Sequence, residues 1–228
     1  MLSAAESDAL RISLIVASES VVLSLPLAIA CAWLLVRARF VGRSLLDALV
    51  HLPLVLPPVV VGYLLLLTFG SHGPLGGWLH AIFGIRLAFT TGGAALATAV
   101  MSFPLMVRAV RLSLEGLNPG LEDAARTLGA GPVDRFLTIT LPLMAPGILA
   151  GAVTAFAAGL GEFGAVITFA SNIPGETRTL PLALYTAIQS PDGDVAATRL
   201  AALSFGLGLA GLVAAEFLAR RLRARLGP

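Results

Sequence analysis

The chain has 228 residues, 57% of them hydrophobic and 12% charged, with a formal net charge of +2 at pH 7. An average soluble domain carries about twice that share of charge, so the composition is that of a membrane protein. All fifteen basic residues are arginine, which excludes a phosphate-binding loop built on lysine and a Schiff-base lysine, and the single cysteine, Cys31, excludes an internal disulfide framework or a zinc site built on several cysteines.

The N-terminal MLSAAESDAL carries acids where a secretory signal would carry positive charge, and the apolar run after it is too long for a signal core. It is expected to stay in the mature protein as the first of five membrane spans: Ile12–Val36, Leu45–Phe69, Gly92–Val110, Leu143–Ala170 and Val195–Ala219. Each is long enough for a hydrocarbon layer that needs about 20 helical residues. Backbone groups in lipid must pair within their own segment, so these runs are helices. The class expected is an all-α integral membrane protein with about five transmembrane helices.

Arginine placement predicts the orientation. With the N-terminus outside, the inner segments hold Arg37, Arg39, Arg43, Arg108, Arg111, Arg126, Arg135, Arg220, Arg221, Arg223 and Arg225, against Arg11, Arg86, Arg178 and Arg199 outside. The C-terminal RRLRAR tail is then inside, where it reads as an anchor against anionic lipid rather than a nucleic-acid arm.

The second span contains LPLVLPPVVVGYLLL, with Pro53, Pro57, Pro58 and Gly62 in one apolar stretch. Interior prolines remove backbone donors and clash with the preceding turn, so this helix is kinked or interrupted. Near its inner end Asp47 and His51 stand one turn apart; an intrahelical contact explains them better than a metal site, no further ligand being nearby. In the outer loops, GGWLHAIFGI, with Trp78 and Phe83, and TLPLALYTAIQ, from Thr179 to Gln189, read as short helices lying flat at the membrane surface.

Between the third and fourth spans lies EGLNPGLEDAARTLGAGPVDRFLTITLPL. Asn118 caps a helix with Pro119 in its first position, Glu122 and Asp123 lie near the positive helix start, and Gly129 ends it. Gly131 and Pro132 restart the chain, Asp134 lies in the new first turn, and Pro142 marks re-entry into the membrane. The pattern is a helix–turn–helix projecting into the cytoplasm.

The fourth span holds GLGEFG, Gly159 to Gly164, which matches the G-x-G-x-x-G dinucleotide fingerprint letter for letter. No strand precedes it, no βαβ unit surrounds it, and the Glu162 carboxylate would repel a pyrophosphate. The glycines read better as packing and hinge residues. Gly147, Gly151, Ala155 and Gly159 recur every fourth position as a ridge of small residues that lets another helix approach, and Gly161 and Gly164 weaken the helix beyond it. Glu162, alone in the apolar run, either structures a helix interface or borders a pathway. An intramembrane enzyme is the rival class; Ser71-His72 is an adjacent pair, but no G-x-S-x-G and no paired intramembrane carboxylates accompany it.

Asp123-Ala124-Ala125, Gly129, Ile139, Leu141 and Pro142 resemble the E-A-A-x3-G-x9-I-x-L-P loop of bacterial ABC importer transmembrane subunits, with aspartate where the family usually has glutamate and Glu122 just before it. HLPLVLPPVVVGYLLL, MSFPLMVRAVRLSLEG, EDAARTLGAG and GLGEFGAVITFASNIPGETRTLPLALYTAIQ look like the permease subunit of molybdate importers, over nearly the whole chain; sulfate and tungstate permeases have related GEFG-type segments. The resemblance implies the type I importer permease fold in one domain, 1–228, with a coupling loop, 112–142, that docks on an ATPase through Glu122, Asp123, Ala124, Ala125, Gly129, Ile139, Leu141 and Pro142. It further implies a bacterial inner-membrane, multi-pass subunit that is no enzyme itself and works with a second copy, a cytoplasmic ATPase dimer that binds ATP and magnesium, and an extracytoplasmic oxyanion-binding protein. No cofactor, metal or nucleic acid is expected on this chain. Pro57, Pro58, Gly62, Gly161, Glu162, Phe163 and Gly164 are the pathway or hinge candidates. No arginine lies in the centre of a span, so the pathway is expected to bind an oxyanion weakly, and Glu162 is expected to point away from it or to anchor the helix bend.

Overall fold

The computed structural model describes residues 2–226, and all regular elements among them are helices. The first, α1, runs from Ala4 to Arg37, about two turns earlier than the apolar run begins. The reason is a capping box: Ser3 Oγ accepts from the Glu6 amide at 3.2 Å and the Glu6 carboxylate accepts from the Ser3 amide at 2.7 Å. The acids read only as a mark against a signal peptide are thus part of a helix start. Glu6 is 4% exposed and meets Arg199 at 3.1 Å, tying α1 to the last helix.

The second expected span is not one rod. Helix α2 (Arg43–His51) passes through a 3-10 turn, Leu52–Leu54, and the chain then turns by 113° into α3 (Pro58–Phe69). Pro57 and Pro58 stand at the turn, with Pro57 as the cap residue of α3 and Pro58 in its first position, where a missing N–H costs nothing. Four helices are long and apolar enough to cross a membrane, or five if the bent pair is one span.

Helix α4 (Pro74–Phe83) folds back on α3 and leaves Trp78 and Phe83 exposed as an edge-to-face pair. Helix α5 (Thr91–Glu115), the most buried of the four long spans, packs between α1 and the fourth span. Then follow α6 (Pro119–Thr127), α7 (Pro132–Arg135), a π turn at Phe136–Thr140 and α8 (Leu141–Leu160). Pro142, expected to mark re-entry into the membrane, stands in the first turn of α8, and the helical path runs on from Pro132 to Leu160. The wider π turn just before it, closed by the Leu141 amide on Phe136 O, lets the chain pass a residue without a donor.

The fourth expected span is likewise divided, since α8 ends at Leu160 and α9 covers Gly164–Ala170. Helix α10 (Leu180–Ile188) forms within the stretch expected as a short helix, Thr179 to Gln189, and is anchored to the bundle. Leu180 and Leu182 are fully buried, and the helix packs against α1 and the last helix, α11 (Asp194–Leu226). Four-residue apolar spacing on α10 suits a packed face as well as a membrane surface. The tail arginines Arg223 and Arg225 lie outside the described side chains.

The α5–α8 seam confirms the small-residue ridge. A Cβ on Gly147 would collide with Ser113, and one on Gly159 would lie 2.7 Å from Thr98 Cγ2. Ala155 is fully buried in the same seam. Only glycine at these positions lets the two backbones approach this closely.

Candidate functional site: two helix breaks and a capped elbow

The two broken spans meet at their breaks. A Cβ on Gly62 of α3 would lie 2.6 Å from Ala165 O and 2.8 Å from Thr168 Cβ of α9, and one on Gly164 would lie 2.7 Å from Pro58 Cβ. Each helix therefore uses its own glycine to seat the other. Val61 and Leu65 of α3 and Ala165, Val166 and Phe169 of α9 close the contact in one buried cluster. Of the hinge candidates, Pro58, Gly62 and Gly164 meet at this crossing and Phe163 packs against its buried cluster.

Glu162 sits in the gap between α8 and α9, where its Oε1 accepts from the Ala165 amide at 2.9 Å. It is the side-chain cap of α9, satisfying one of the donors that a helix start leaves free. With Thr98, Met101, Ser102, Ala158 and Gly159 it also lines a cavity of about 180 Å³. Glu162 thus caps the start of α9 and at the same time borders this cavity. Phe163 stacks at a tilt on Tyr185, with centroids 5.2 Å apart, which ties the break to α10. Gly161 is different: its surface is exposed and a Cβ there would meet only Ala158 O, at 3.6 Å.

The elbow between α5 and α8 is built as its residues dictate. Asn118 Oδ1 accepts from the Gly120 amide at 2.9 Å, and Pro119 fills the first position of α6. At the other end, the Ala130 amide donates to Ala125 O at 3.0 Å and the Gly129 amide to Arg126 O at 3.1 Å, the paired bonds of a Schellman cap. Gly129 has φ +88° with open space around it, so backbone conformation and not crowding demands glycine here. Ala124 O accepts from Thr127 Oγ1 at 2.7 Å within the same helix.

The two carboxylates at the elbow have separate surroundings. Glu122 Oε1 accepts from Arg37 Nη2 at 2.7 Å and from Thr140 Oγ1 at 2.8 Å, binding α6 to the end of α1 and to the π turn. Asp123 points outward, with a side chain 61% exposed, and pairs only with Arg126 at 2.8 Å. Around it Leu121 and Leu128 are exposed, Leu128 to 88%. Ile139 and Leu141 are half-buried at the foot of the elbow, and Pro142 faces outward.

At the same end of the bundle, Arg111 donates to both Asp47 oxygens at 3.1 and 3.2 Å and to Glu115 at 2.8 Å. His51 Nδ1 lies 3.2 Å from Asp47 Oδ1. The expected Asp47–His51 contact is present, and Arg111 extends it into a tether between α2 and α5 that the local sequence did not reveal.

Long apolar helices, a span interrupted at paired prolines and a rigidly capped elbow together define the membrane subunit of an ABC importer. The fold agrees with that of a bacterial alginate ABC transporter solved in complex with an alginate pentasaccharide-bound periplasmic protein, at a TM-score of 0.76 and 20% identity over 96% of this chain and 80% of that one. The binding-protein-dependent transport system inner membrane component family matches residues 24–224, and the chain belongs to it. It is 59% identical over 222 residues to the molybdenum transport system permease protein ModB of Escherichia coli (strain K12), and 52% identical over 222 residues to ModB of Haemophilus influenzae (strain ATCC 51907 / DSM 11121 / KW20 / Rd), covering 97% of both chains in each case.

Proposed function

We propose that this chain is the membrane-spanning subunit of an ATP-driven importer that passes molybdate across the bacterial cytoplasmic membrane. The observation that carries the reading is the identity of 59% over 97% of both chains to a molybdenum transport permease. A related oxyanion, tungstate or sulfate, is the alternative, since the GEFG-type segment is shared among those permeases.

In this reading the whole chain, 1–228, is one permease domain, and two copies enclose a pathway. The N-terminus is outside and the elbow and C-terminus are inside, the orientation that the arginine distribution favours. An extracytoplasmic binding protein delivers the oxyanion. A separate cytoplasmic ATPase dimer grips each elbow, with Asp123, Leu121 and Leu128 on the docking face. Glu122, fastened to Arg37 and Thr140, passes the displacement to α1 and α8. Ala124, Ala125 and Gly129 keep the elbow rigid, and Ile139, Leu141 and Pro142 form its foot.

The energy for the conformational change comes from nucleotide acting on the ATPase, because only a partner that discriminates between two states can shift their balance. The crossing of α3 and α9 is the hinge: Gly62 and Gly164 keep the two segments in contact while Pro57, Pro58 and the Glu162 cap hold their ends. Glu162 is engaged by α9 through Oε1, which fixes the carboxylate at the bend.

The test is uptake of labelled molybdate by proteoliposomes holding the chain, its ATPase and its binding protein. Uptake that needs ATP and resists excess sulfate supports the reading. Uptake abolished by sulfate would assign the alternative cargo, and the absence of any ATPase in the purified complex would defeat the reading as a whole.

A further inference from the structure

A cleft of about 520 Å³ opens between the last turns of α1 and the π turn, lined by Trp33, Arg37, Glu122, Val133, Arg135 and Phe136 among others. Its charged groups are two arginines and one carboxylate. Glu122 is neutralised by Arg37 at 2.7 Å, which leaves Arg135 as the uncompensated cation, and among the described residues no acid lies within ion-pair distance of it. Its Nε is buried and donates to nothing. A buried guanidinium donor without a partner is costly, so the site is built for an acceptor.

Apart from Thr140, whose hydroxyl donates to Glu122, the rest of the cleft is apolar. Val133 is 70% exposed and Trp33 is 43% exposed, although both lie where a soluble surface would be polar. Above the cleft, Val22, Pro26, Ala30 and Trp33 follow one another at three- and four-residue spacing along α1, all exposed. This spacing places them on one helix face and makes an apolar track leading from the bundle's mid-height down to Arg37. The cleft lies where α1 and α8 leave their apolar zones, the level at which lipid headgroups sit and at which tryptophan is enriched.

A ligand that fits has a monoanionic phosphate for Arg135 and an acyl chain for the track. Inorganic phosphate would satisfy the arginine but leave the apolar track uncovered, whereas a zwitterionic lipid would bring a cation beside Arg37 and Arg135. We propose that this cleft binds an anionic phospholipid, with its phosphate on Arg135 and one acyl chain along α1. The lipid would lie against the Arg37–Glu122–Thr140 junction, next to the elbow. Assigning it to the inner leaflet rests on the orientation given under Proposed function; binding itself does not.

The test uses the full chain in its purified transport complex and phosphatidylglycerol carrying a photoreactive group in one acyl chain, with labelled peptides located by mass spectrometry. Labelling should concentrate on the Val22–Trp33 stretch, survive added inorganic phosphate, and be several-fold weaker with the phosphatidylcholine analogue. Arg135→Gln should weaken it about fivefold to tenfold, the loss of one charge-assisted contact near a membrane surface, while Arg135→Lys should retain most of it and shows that the fold is intact. Equal labelling by both lipids, displacement by inorganic phosphate, unchanged labelling in Arg135→Gln, or labelling blocked by the ATPase or the second copy would each overturn the proposal. None of these readouts depends on sidedness or cargo, so the proposal and the functional reading fail separately.

Discussion

Removing the Glu122 carboxylate should disconnect the elbow from the membrane helices without destroying the elbow itself. Glu122→Ala deletes the 2.7 Å contact with Arg37 and the 2.8 Å contact with Thr140. A hydrogen bond to a charged group contributes about 1.5–3 kcal/mol when shielded from water. The Arg37 and Glu122 side chains are 30% and 24% exposed, so screening reduces the ion pair toward about 1 kcal/mol. Thr140 is only 2% exposed, and loss of its acceptor adds about 1 kcal/mol. The sum, about 2 kcal/mol, lowers the ratio of held to released elbows by about thirtyfold. In proteoliposomes the variant should keep ATPase activity but lose most uptake, with an elbow more open to proteolysis. Glu122→Gln, whose amide oxygen can still accept from both partners, should fall between it and wild type. Asp123→Ala removes only an exposed pair with Arg126 and should leave thermal stability unchanged, acting on ATPase binding instead. If Glu122→Ala and Asp123→Ala had the same profile in both assays, the division of roles drawn from these contacts would be wrong.

Three further outcomes follow from the same geometry. At Gly129, Asn should be tolerated better than Ala or Val in ATP-coupled uptake, because asparagine accepts a left-handed backbone more readily; equal damage by all three would point to contact with a partner instead of φ as the constraint. Gly62→Val should separate α3 from α9 at a cost of about 1–3 kcal/mol, lowering the melting temperature and uptake together, whereas Gly161→Ala should leave both near wild type; the reverse order would move the hinge to Gly161. Glu162→Gln should retain uptake, as the amide can still cap α9, while Glu162→Leu should lose assembled complex on gel filtration, so full activity in both would remove the cap from the account.

Much of this arrangement was legible because it is local. Proline placement announced the break in the second span, Asn118 and Gly129 announced the ends of α6, and the spacing of Gly147, Gly151, Ala155 and Gly159 announced a close helix seam, though not its partner α5. A dinucleotide fingerprint was recognisable as a helix break because its surroundings were wrong for a phosphate turn. What stayed hidden involves partners remote in the chain. Arg37 and Glu122 are 85 residues apart, and Asp47 and Arg111 are 64 apart; no periodicity specifies such pairs. The same limit concealed that the two broken spans touch at Pro58 and Gly164, since each segment reveals where it stops being helical but not what it rests on.

The claim that the elbow is the contact through which an ATPase drives the bundle is tested most directly at its tip. With Cys31, the one native cysteine and half-buried, replaced by serine, Leu128→Cys offers a single thiol at a site 88% exposed. The account predicts that in intact cells this thiol crosslinks to the ATPase and is shielded from membrane-impermeant reagents added outside. Labelling from outside, or a crosslink to any protein other than the ATPase, would contradict it.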